Sequence, residues 1–397
     1  SVAACAHGKL RFNPTTAYAG LAGDAVGNLP MTRPKLQSSN TVVMLGTRLF
    51  LKGYRHVRAG ISPEFEVGRF LTEVARFANC VPVAGAIEYI AADGTPTSIA
   101  LLQGHVANQG DGWSYTADYL ERSFEDQLAT AAEPPADVHG AYLSLVHTLG
   151  TRTAELHKAL ALRTGDPAFD PEPLQAGDLA GWKRRVHDDA LGTLALLEQH
   201  LARFPAPVLA NARTLLDQRQ RLLARIEACA MPAGPCLKTR CHGDYHLGQV
   251  LVNNNDFIII DFEGEPARSL AERRMKHSSL RDVAGMLRSF DYARWSAVLR
   301  DTYTEADRAR LAPRAHGWAR EAREMFLRAY DETSRDSGLY ESFAEVQGLI
   351  ELFELEKALY ELRYEVGNRP GWINVPLQGV LALCGLAQDA ATDKATR

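Results

Sequence analysis

The segment Cys241-His242-Gly243-Asp244-Tyr245-His246-Leu247-Gly248-Gln249-Val250-Leu251-Val252, followed by Phe257-Ile258-Ile259-Ile260-Asp261-Phe262-Glu263, decides how this chain is read. An H-x-D triplet is followed five positions on by an amide side chain, and a continuously apolar run then ends abruptly in an acid. Four apolar residues bounded by polar ones fit a buried strand, so Asp261 is expected to emerge from the core at the strand's end. A His-Gly-Asp turn alone is a weak signal. The three features at these separations, with the strand between them, are a specific one.

The spacing suits transfer of a phosphoryl group from ATP. Asp244 is placed to face an acceptor hydroxyl, accept its hydrogen bond and take its proton. Gln249 and Asp261 are expected to hold Mg²⁺ against the ATP phosphates, with Glu263 as a further metal contact, a hard-oxygen arrangement. Such chemistry also needs a cation on the phosphates. Lys52 stands among Leu49, Phe50 and Leu51 on a strand, where a lysine is out of place unless its amine is used. Glu66, fourteen residues on, is expected to pair with it from a helix, with Glu64 as the competing candidate. No G-x-G-x-x-G loop precedes the lysine. Ser39, Asn40 and Thr41 fill that place and are expected to line the phosphates with small polar groups and backbone N–H donors. Asp282, at a helix start, reads as a helix N-terminal acid and as a brace for the catalytic loop.

An acceptor patch is sought further along. Lys357, Tyr360 and Tyr364 fall at i, i+3 and i+7 on one helix face, with Arg369 and Trp372 just after a helix break. Rings that stack on the CH faces of a sugar and charged groups that bind its hydroxyls are what a small carbohydrate needs. His246, two residues past the base, either joins them or holds the loop.

Around these residues the chain changes texture. The first forty residues read as irregular. Residues 41–103 read β-β-α-β-β, with a hairpin turning at Gly46-Thr47, a helix starting at Pro63 behind a Ser62 cap, and a second turn at Asp93-Gly94. Glu133-Pro134-Pro135 looks like a boundary. Helices follow over 141–162, 182–204 and 212–229. They resume after the catalytic island, with breaks near Pro313 and at Arg369-Pro370-Gly371.

Composition sets the outer limits. The 397 residues carry 44 Lys plus Arg against 48 Asp plus Glu, a net charge of −4, with 46% hydrophobic residues. A near-neutral globular chain of this kind is a poor general binder of nucleic acid or of anionic membranes. No run of 18 apolar residues marks a membrane span, and no basic-then-apolar leader opens the chain. The six cysteines form no C-x-x-C pair and fit no zinc spacing, so buried free thiols in the cytoplasm are expected.

The segment 240–292, with Ile260-Asp261-Phe262-Glu263-Gly264-Glu265-Pro266 and Leu280-Arg281-Asp282-Val283-Ala284-Gly285, resembles bacterial maltokinases. So do Ser39-Asn40-Thr41, Leu51-Lys52-Gly53-Tyr54-Arg55, Gln109-Gly110-Asp111-Gly112-Trp113 and Arg369-Pro370. The stretch Gly165-Asp166-Pro167-Ala168-Phe169-Asp170-Pro171-Glu172-Pro173 resembles maltokinase domains fused behind trehalose synthase. The resemblance implies an α+β, bilobal, protein-kinase-like fold of the aminoglycoside-phosphotransferase type. A small β-rich N-lobe would span 1–106 and a larger, mostly helical C-lobe 107–397, with the family's N-terminal cap subdomain missing. It further implies that ATP phosphorylates maltose at the anomeric hydroxyl, feeding α-glucan and glycogen synthesis from trehalose, with a trehalose synthase domain as partner. Gln103 to Val106 would be the hinge that holds adenine.

Two alternatives stand beside that reading. One is the same chemistry on another small sugar such as glucosamine. The other is a non-catalytic pseudokinase module attached to trehalose synthase. Hydrolysis of a glycoside by Asp261 and Glu263 fails on context, since both belong to a strand–loop with a metal-type amide nearby.

Overall fold

A computed structural model describes residues 1–24, 26–34, 40–130 and 137–386. Seven antiparallel strands form one sheet: β1 (Val2–Cys5), β2 (Gly8–Pro14), β3 (Met31–Thr32), β4 (Thr41–Leu45), β5 (Leu49–Gly53), β6 (Val83–Ala91) and β7 (Pro96–Gly104). Their spatial order is β1-β2-β6-β7-β5-β4-β3. The hairpin at Gly46 and the strands on either side of Asp93-Gly94 stand where the sequence places them. The first forty residues depart from expectation. Their β1–β2 hairpin extends the sheet, β2 pairing with β6 from Gly8↔Ala91 to Pro14↔Gly85. The sequence reading passed over these strands: β1 is exposed throughout, and the short alternation Lys9-Leu10-Arg11-Phe12-Asn13 in β2 is closed off by Gly8 and Pro14 at its ends.

Each face of the sheet is covered. Helix α1 (Tyr18–Ala22) packs Ala22 and Leu21 against Leu49, Ala84 and Leu102 on one side. Helix α2 (Pro63–Arg69) packs Phe65 against Val83, Ala86 and Leu101 on the other. The Ser62 hydroxyl accepts from the Phe65 amide, and Pro63 occupies the first turn, where its missing N–H costs nothing.

The rest is helical. Helices α3 (Gly112–Ala129), α4 (Gly140–Leu160), α5 (Ala176–His200), α6 (Ala206–Asp217) and α7 (Arg219–Glu227) precede a catalytic island. Short strands β8 (Glu172–Pro173) and β9 (Leu237–Lys238) pair just before it, and β10 (Val250–Asn253) pairs with β11 (Asp256–Ile259) within it. Then come α8 (Leu270–Arg273), α9 (Leu280–Val298), α10 (Glu305–Ser334), α11 (Phe343–Asn368) and α12 (Asn374–Leu383). Helix α9 lies at the centre, with Val283, Met286, Leu287 and Phe290 fully buried, and packs on α10 and α11.

Pro313 does not break the chain as its residue type suggests. Helix α10 runs through it to Ser334. One lost backbone hydrogen bond is outweighed by the buried stripe Leu311, Ala315, Trp318, Ala322 and Phe326. The break at Arg369-Pro370 is present, where α11 stops at Asn368 and a short 3₁₀ turn follows. The proposed boundary at Glu133-Pro134-Pro135 lies outside the described residues. The six cysteines are free thiols; Cys5 is exposed, against expectation, while Cys80, Cys229, Cys236 and Cys384 are buried. Among the described residues no helix is long and apolar enough to cross a membrane.

Helices α4 and α10 approach closely at Gly150, where a Cβ would stand 2.5 Å from the Phe326 carbonyl oxygen and 2.9 Å from the Ala329 Cβ. Gly150→Ala should therefore cost about 1–3 kcal/mol by overpacking. Gly192→Ala, on an exposed part of α5 with nothing within 4 Å, should be neutral or stabilise by up to ~1 kcal/mol. Urea denaturation of the two variants checks this, and equal midpoints would contradict the packing described.

Candidate active site

The catalytic island is built around a buried carboxylate. Asp282, in the first turn of α9 and 1% exposed, accepts from the amides of His242 (2.8 Å) and Gly243 (2.9 Å). Burial alone would raise its pKa, but a contact from His157 Nε2 at 3.2 Å and the Gly243 amide hold it below the ordinary carboxylate range. Gly243 sits at φ +84°, a conformation that favours glycine, and this turns the chain so that two successive amides aim at one acid. His242 Nε2 lies 2.8 Å from the Ile260 carbonyl, which can only accept, so Nε2 carries the proton. Nδ1 is then free to accept from the Asp244 amide at 3.4 Å. Gly285 presses α9 onto the same loop; a Cβ there would lie 2.5 Å from the Tyr245 carbonyl oxygen.

Asp244 itself points into the cleft and meets Lys357 Nζ at 3.0 Å. Burial opposes its ionisation, yet Lys357 first, and His246 and His242 after it, hold its carboxyl below the usual range. It is thus ionised at neutral pH.

On the sheet side, β11 ends as expected. Ile259 is fully buried, and Asp261 follows at φ +66°, a left-handed conformation sparsely used by residues other than glycine. This turn brings its carboxylate back toward Lys52, whose Nζ lies 2.7 Å from Asp261 Oδ1 and 3.1 Å from both Glu64 oxygens, and also reaches Glu263. Gln249 Nε2 donates to Asp261 Oδ2 at 3.1 Å, and Tyr54 donates to Glu64. Burial would lower the Lys52 pKa, but Glu64, Asp261 and Glu263 together raise it, so the amine stays charged. Among the acids, burial pushes Glu64 up to about 8: the attraction of Lys52 is offset by the repulsion of Asp261 and Glu263, which crowd the same amine. Glu64 is the most buried of the three.

Glu64, Asp261 and Glu263 offer carboxylate oxygens within 4.8 Å of one another. An all-oxygen anionic set of this kind fits Mg²⁺. The expected Lys52–Glu66 pair is not formed; Glu64 takes the lysine instead. Residues 64 and 66 stand about 200° apart around a helix, so only one can face the sheet. Phe65 and Val67 anchor α2 such that Glu64 does, while Glu66 meets Arg240 (2.8 Å) and Arg274 (2.7 Å).

The remaining sequence candidates fall as follows. Asn40 lies beside Glu263, with its Nδ2 3.5 Å from Glu263 Oε1, and Thr41 Oγ1 accepts from Arg55. Ser39 lies outside the described residues. Gln103 pairs with Phe50 and so shares the face of the sheet that carries Lys52. Past it, the His105 amide donates to the Arg48 carbonyl, and the Val106 carbonyl accepts from Asn108.

Beside Asp244 opens a cavity of about 500 Å³ lined by His246, Lys357, Tyr360, Tyr364 and Arg369. The structure therefore brings this part of the sequence patch together. Trp372 is the exception: it does not line the cavity but stands 5.5 Å from the Arg369 guanidinium, backing it. Sequence reasoning missed Asp111, Trp113, Tyr292, Glu361 and Glu365 on the same wall. The signal was present in part, because Glu361 and Glu365 continue the Lys357 face at i+4 and i+8, and Asp111 and Trp113 sit in a quoted motif. Glu361 is held by Arg288 at 2.8 Å and Glu365 by Arg369 at 2.6 Å.

A β-sheet region packed on a helical region, with a lysine and two aspartates at their junction, is the arrangement of a kinase-like phosphotransferase. The chain belongs to the phosphotransferase enzyme family termed APH, whose model matches residues 31–322. It is 27% identical over 286 residues to a glucosamine kinase of Streptacidiphilus jiangxiensis, covering 71% of this chain and 56% of that protein. It thus spans just over half of that relative's length. It is 26% identical over 361 residues to a glucosamine kinase of Mycolicibacterium smegmatis, covering 90% of this chain and 80% of the relative. Among solved structures, a glucosamine kinase in complex with glucosamine, ADP and inorganic phosphate matches with a TM-score of 0.67 at 21% identity, over 96% of this chain and 87% of that one. This structural likeness carries the fold, which is the kinase-like α+β fold expected.

The Lys357–Asp244 pair sets a pH test. With Asp244 held low, the acid-side fall of kcat/KM should lie below the ordinary carboxylate range, because the base is ionised above it. Lys357→Met leaves burial unopposed by its largest attractive charge, so the acid limb should move to higher pH. An acid limb that stays in place in a kcat/KM–pH profile of this variant would argue that Asp244 is not the titrating base.

Proposed function

We propose that this chain transfers the γ-phosphoryl group of ATP to a hydroxyl of a small sugar, and that an amino sugar of the glucosamine type is a better acceptor than maltose. The observation that carries the proposal is the cavity of about 500 Å³ opening beside Asp244. Its walls hold the carboxylates Asp111, Glu361 and Glu365 beside the cations Lys357 and Arg369; with Glu361 committed to Arg288 and Glu365 to Arg369, Asp111 is the acid left to meet a protonated amine. The names of the two relatives support the same choice. Maltose is the second reading, supported by the motif resemblance, and association with a trehalose synthase would accompany it.

In this reading the acceptor sits against Tyr360 and Trp113, its hydroxyl on Asp244. The sugar oxygen attacks the γ-phosphorus, the bond to the ADP oxygen breaks, and the hydroxyl proton passes to the Asp244 carboxylate. Lys52, steadied by Glu64, carries the phosphates, with Asn40 and Thr41 at the loop above them. Asp261 and Glu263, with Gln249 beside them, would hold Mg²⁺, which supplies neutralisation of the phosphate charge when bound. Lys357 orients and acidifies Asp244, and Asp282 keeps the loop in register. Catalysis here is positioning and electrostatics rather than covalent participation.

An ADP-release assay with glucosamine, glucose, maltose and trehalose should give the highest kcat/KM with glucosamine. A maximum with maltose would favour the second reading, and failure to bind ATP with Mg²⁺ would favour a pseudokinase module. Asp244→Asn should leave the fold intact and lower kcat by about 10²–10⁴-fold. Near-normal turnover by that variant would refute the base assignment.

A further inference from the structure

Glu66 and the Gly165–Pro173 stretch have no part in the chemistry described, yet both are built into the junction of the sheet and helical regions. Glu66 is on α2, two residues from the partner of Lys52. Its carboxylate is 12% exposed and takes both Arg240 and Arg274. Arg274 reaches it with two nitrogens, Nε at 2.8 Å and Nη2 at 2.7 Å, and Arg240 with Nη1 at 2.8 Å. Arg240 stands four residues before Asp244 and is 1% exposed. Its Nε and Nη2 find no hydrogen-bond partner among the described residues, so Glu66 is the group that compensates its buried charge. The guanidinium instead lies over the Phe169 ring at 5.1 Å. That ring stacks on Phe70, at the end of α2, with centroids 3.9 Å apart and planes within 4°. Phe169 is held in place by its own loop: its amide donates to the Asp166 carbonyl, and Lys276 donates to the Pro167 carbonyl.

We infer that Glu66, Arg240, Arg274 and Phe169 form a latch between α2 and the catalytic segment, and act as positioning residues that keep Glu64 on Lys52. This rests on the reading that Lys52 and Glu64 serve the ATP phosphates. The geometry favours a fixed helix: the ion triad and the aromatic stack meet on one face of α2, where Glu66 and Phe70 stand four residues apart and Arg240 touches both Glu66 and the Phe169 ring. The catalytic loop is anchored separately, through Asp282 to α9. Loosening the latch therefore frees α2 and leaves Asp244 in place. The acceptor cavity is lined only by residues from Asp111 onward and does not touch the latch.

The test compares Glu66→Gln, Arg274→Gln and Glu64→Gln in the full chain, reading KM for ATP, KM for the best acceptor sugar, kcat and thermal midpoint. Glu66→Gln and Arg274→Gln should raise KM for ATP by roughly 3- to 30-fold, the span expected for one member of a coupled network, with the acceptor KM unchanged. The double variant should fall short of the product of the two effects. A merely structural role would lower the thermal midpoint and leave the two KM values in their original ratio, which overturns the inference. If Glu66→Gln does not fold, because Arg240 is left buried and unpaired, the half-exposed Arg274 decides by itself. An unchanged ATP KM in Glu64→Gln would instead overturn the phosphate-site reading. A raised one there, with Arg274→Gln unchanged, overturns the latch alone.

Discussion

The site depends on one amine held by three acids from two other places in the chain. Lys52 is fixed by β5, Glu64 by α2, and Asp261 with Glu263 by the turn after β11. None of these elements could carry its charged group into a mostly buried junction unaided. Burial penalises each ion, and the penalty is met only when opposite charges arrive together. The sheet and the helical region are thereby joined at the point where nucleotide phosphates would sit. The left-handed backbone at Asp261 follows from the same requirement: a strand that ends in the core must turn its acid back to reach the lysine.

The helical region solves a related problem on a larger scale. Helix α11 buries Glu354, Glu356 and Glu365; the first two are met by arginines from other segments and the third by an arginine at the helix's own C-terminal end. Glu354 takes Arg323, Glu356 takes Arg268 and Arg281, and Glu365 takes Arg369. Removing one partner of such a buried pair typically costs about 3–5 kcal/mol, although an apolar replacement of the whole pair can be neutral. These pairs therefore do more to specify than to stabilise. The Arg268 pair binds α11, which carries Lys357, to the loop that follows Asp261 and Glu263, and the Arg281 pair binds it to the start of α9. The two halves of a phosphoryl-transfer site are in this way held in one register.

Much of this was legible beforehand. The hairpin around Gly46, the helix entry at Ser62-Pro63, the strand ending at Asp261 and the helix break at Arg369-Pro370 rest on local backbone preferences, which a sequence displays directly. The clustering of Lys357, Tyr360 and Tyr364 was readable because helix geometry alone puts them on one face. Other features were not readable, for reasons of the same kind inverted. The β1–β2 hairpin gains its order from pairing with β6, some eighty residues away, and its one alternating run, Lys9 to Asn13, is only five residues long. Pro313 is a local stop signal overruled by the buried stripe on either side of it. Trp372 looked like a sugar platform by residue type, but the turn after Arg369 puts it behind the guanidinium rather than in the cavity.

What the sequence determined by itself was the order of the catalytic elements and the identity of the groups that could do the chemistry, since H-x-D spacing, an apolar run and a capped helix are short-range facts. The tertiary structure decided which of Glu64 and Glu66 meets the lysine, that Lys357 rests on Asp244, and which acids line the acceptor cavity. Those outcomes turn on how α2 is rotated against the sheet and how α11 lies across α9. Such rotations are set by packing among distant residues, and no local pattern encodes them.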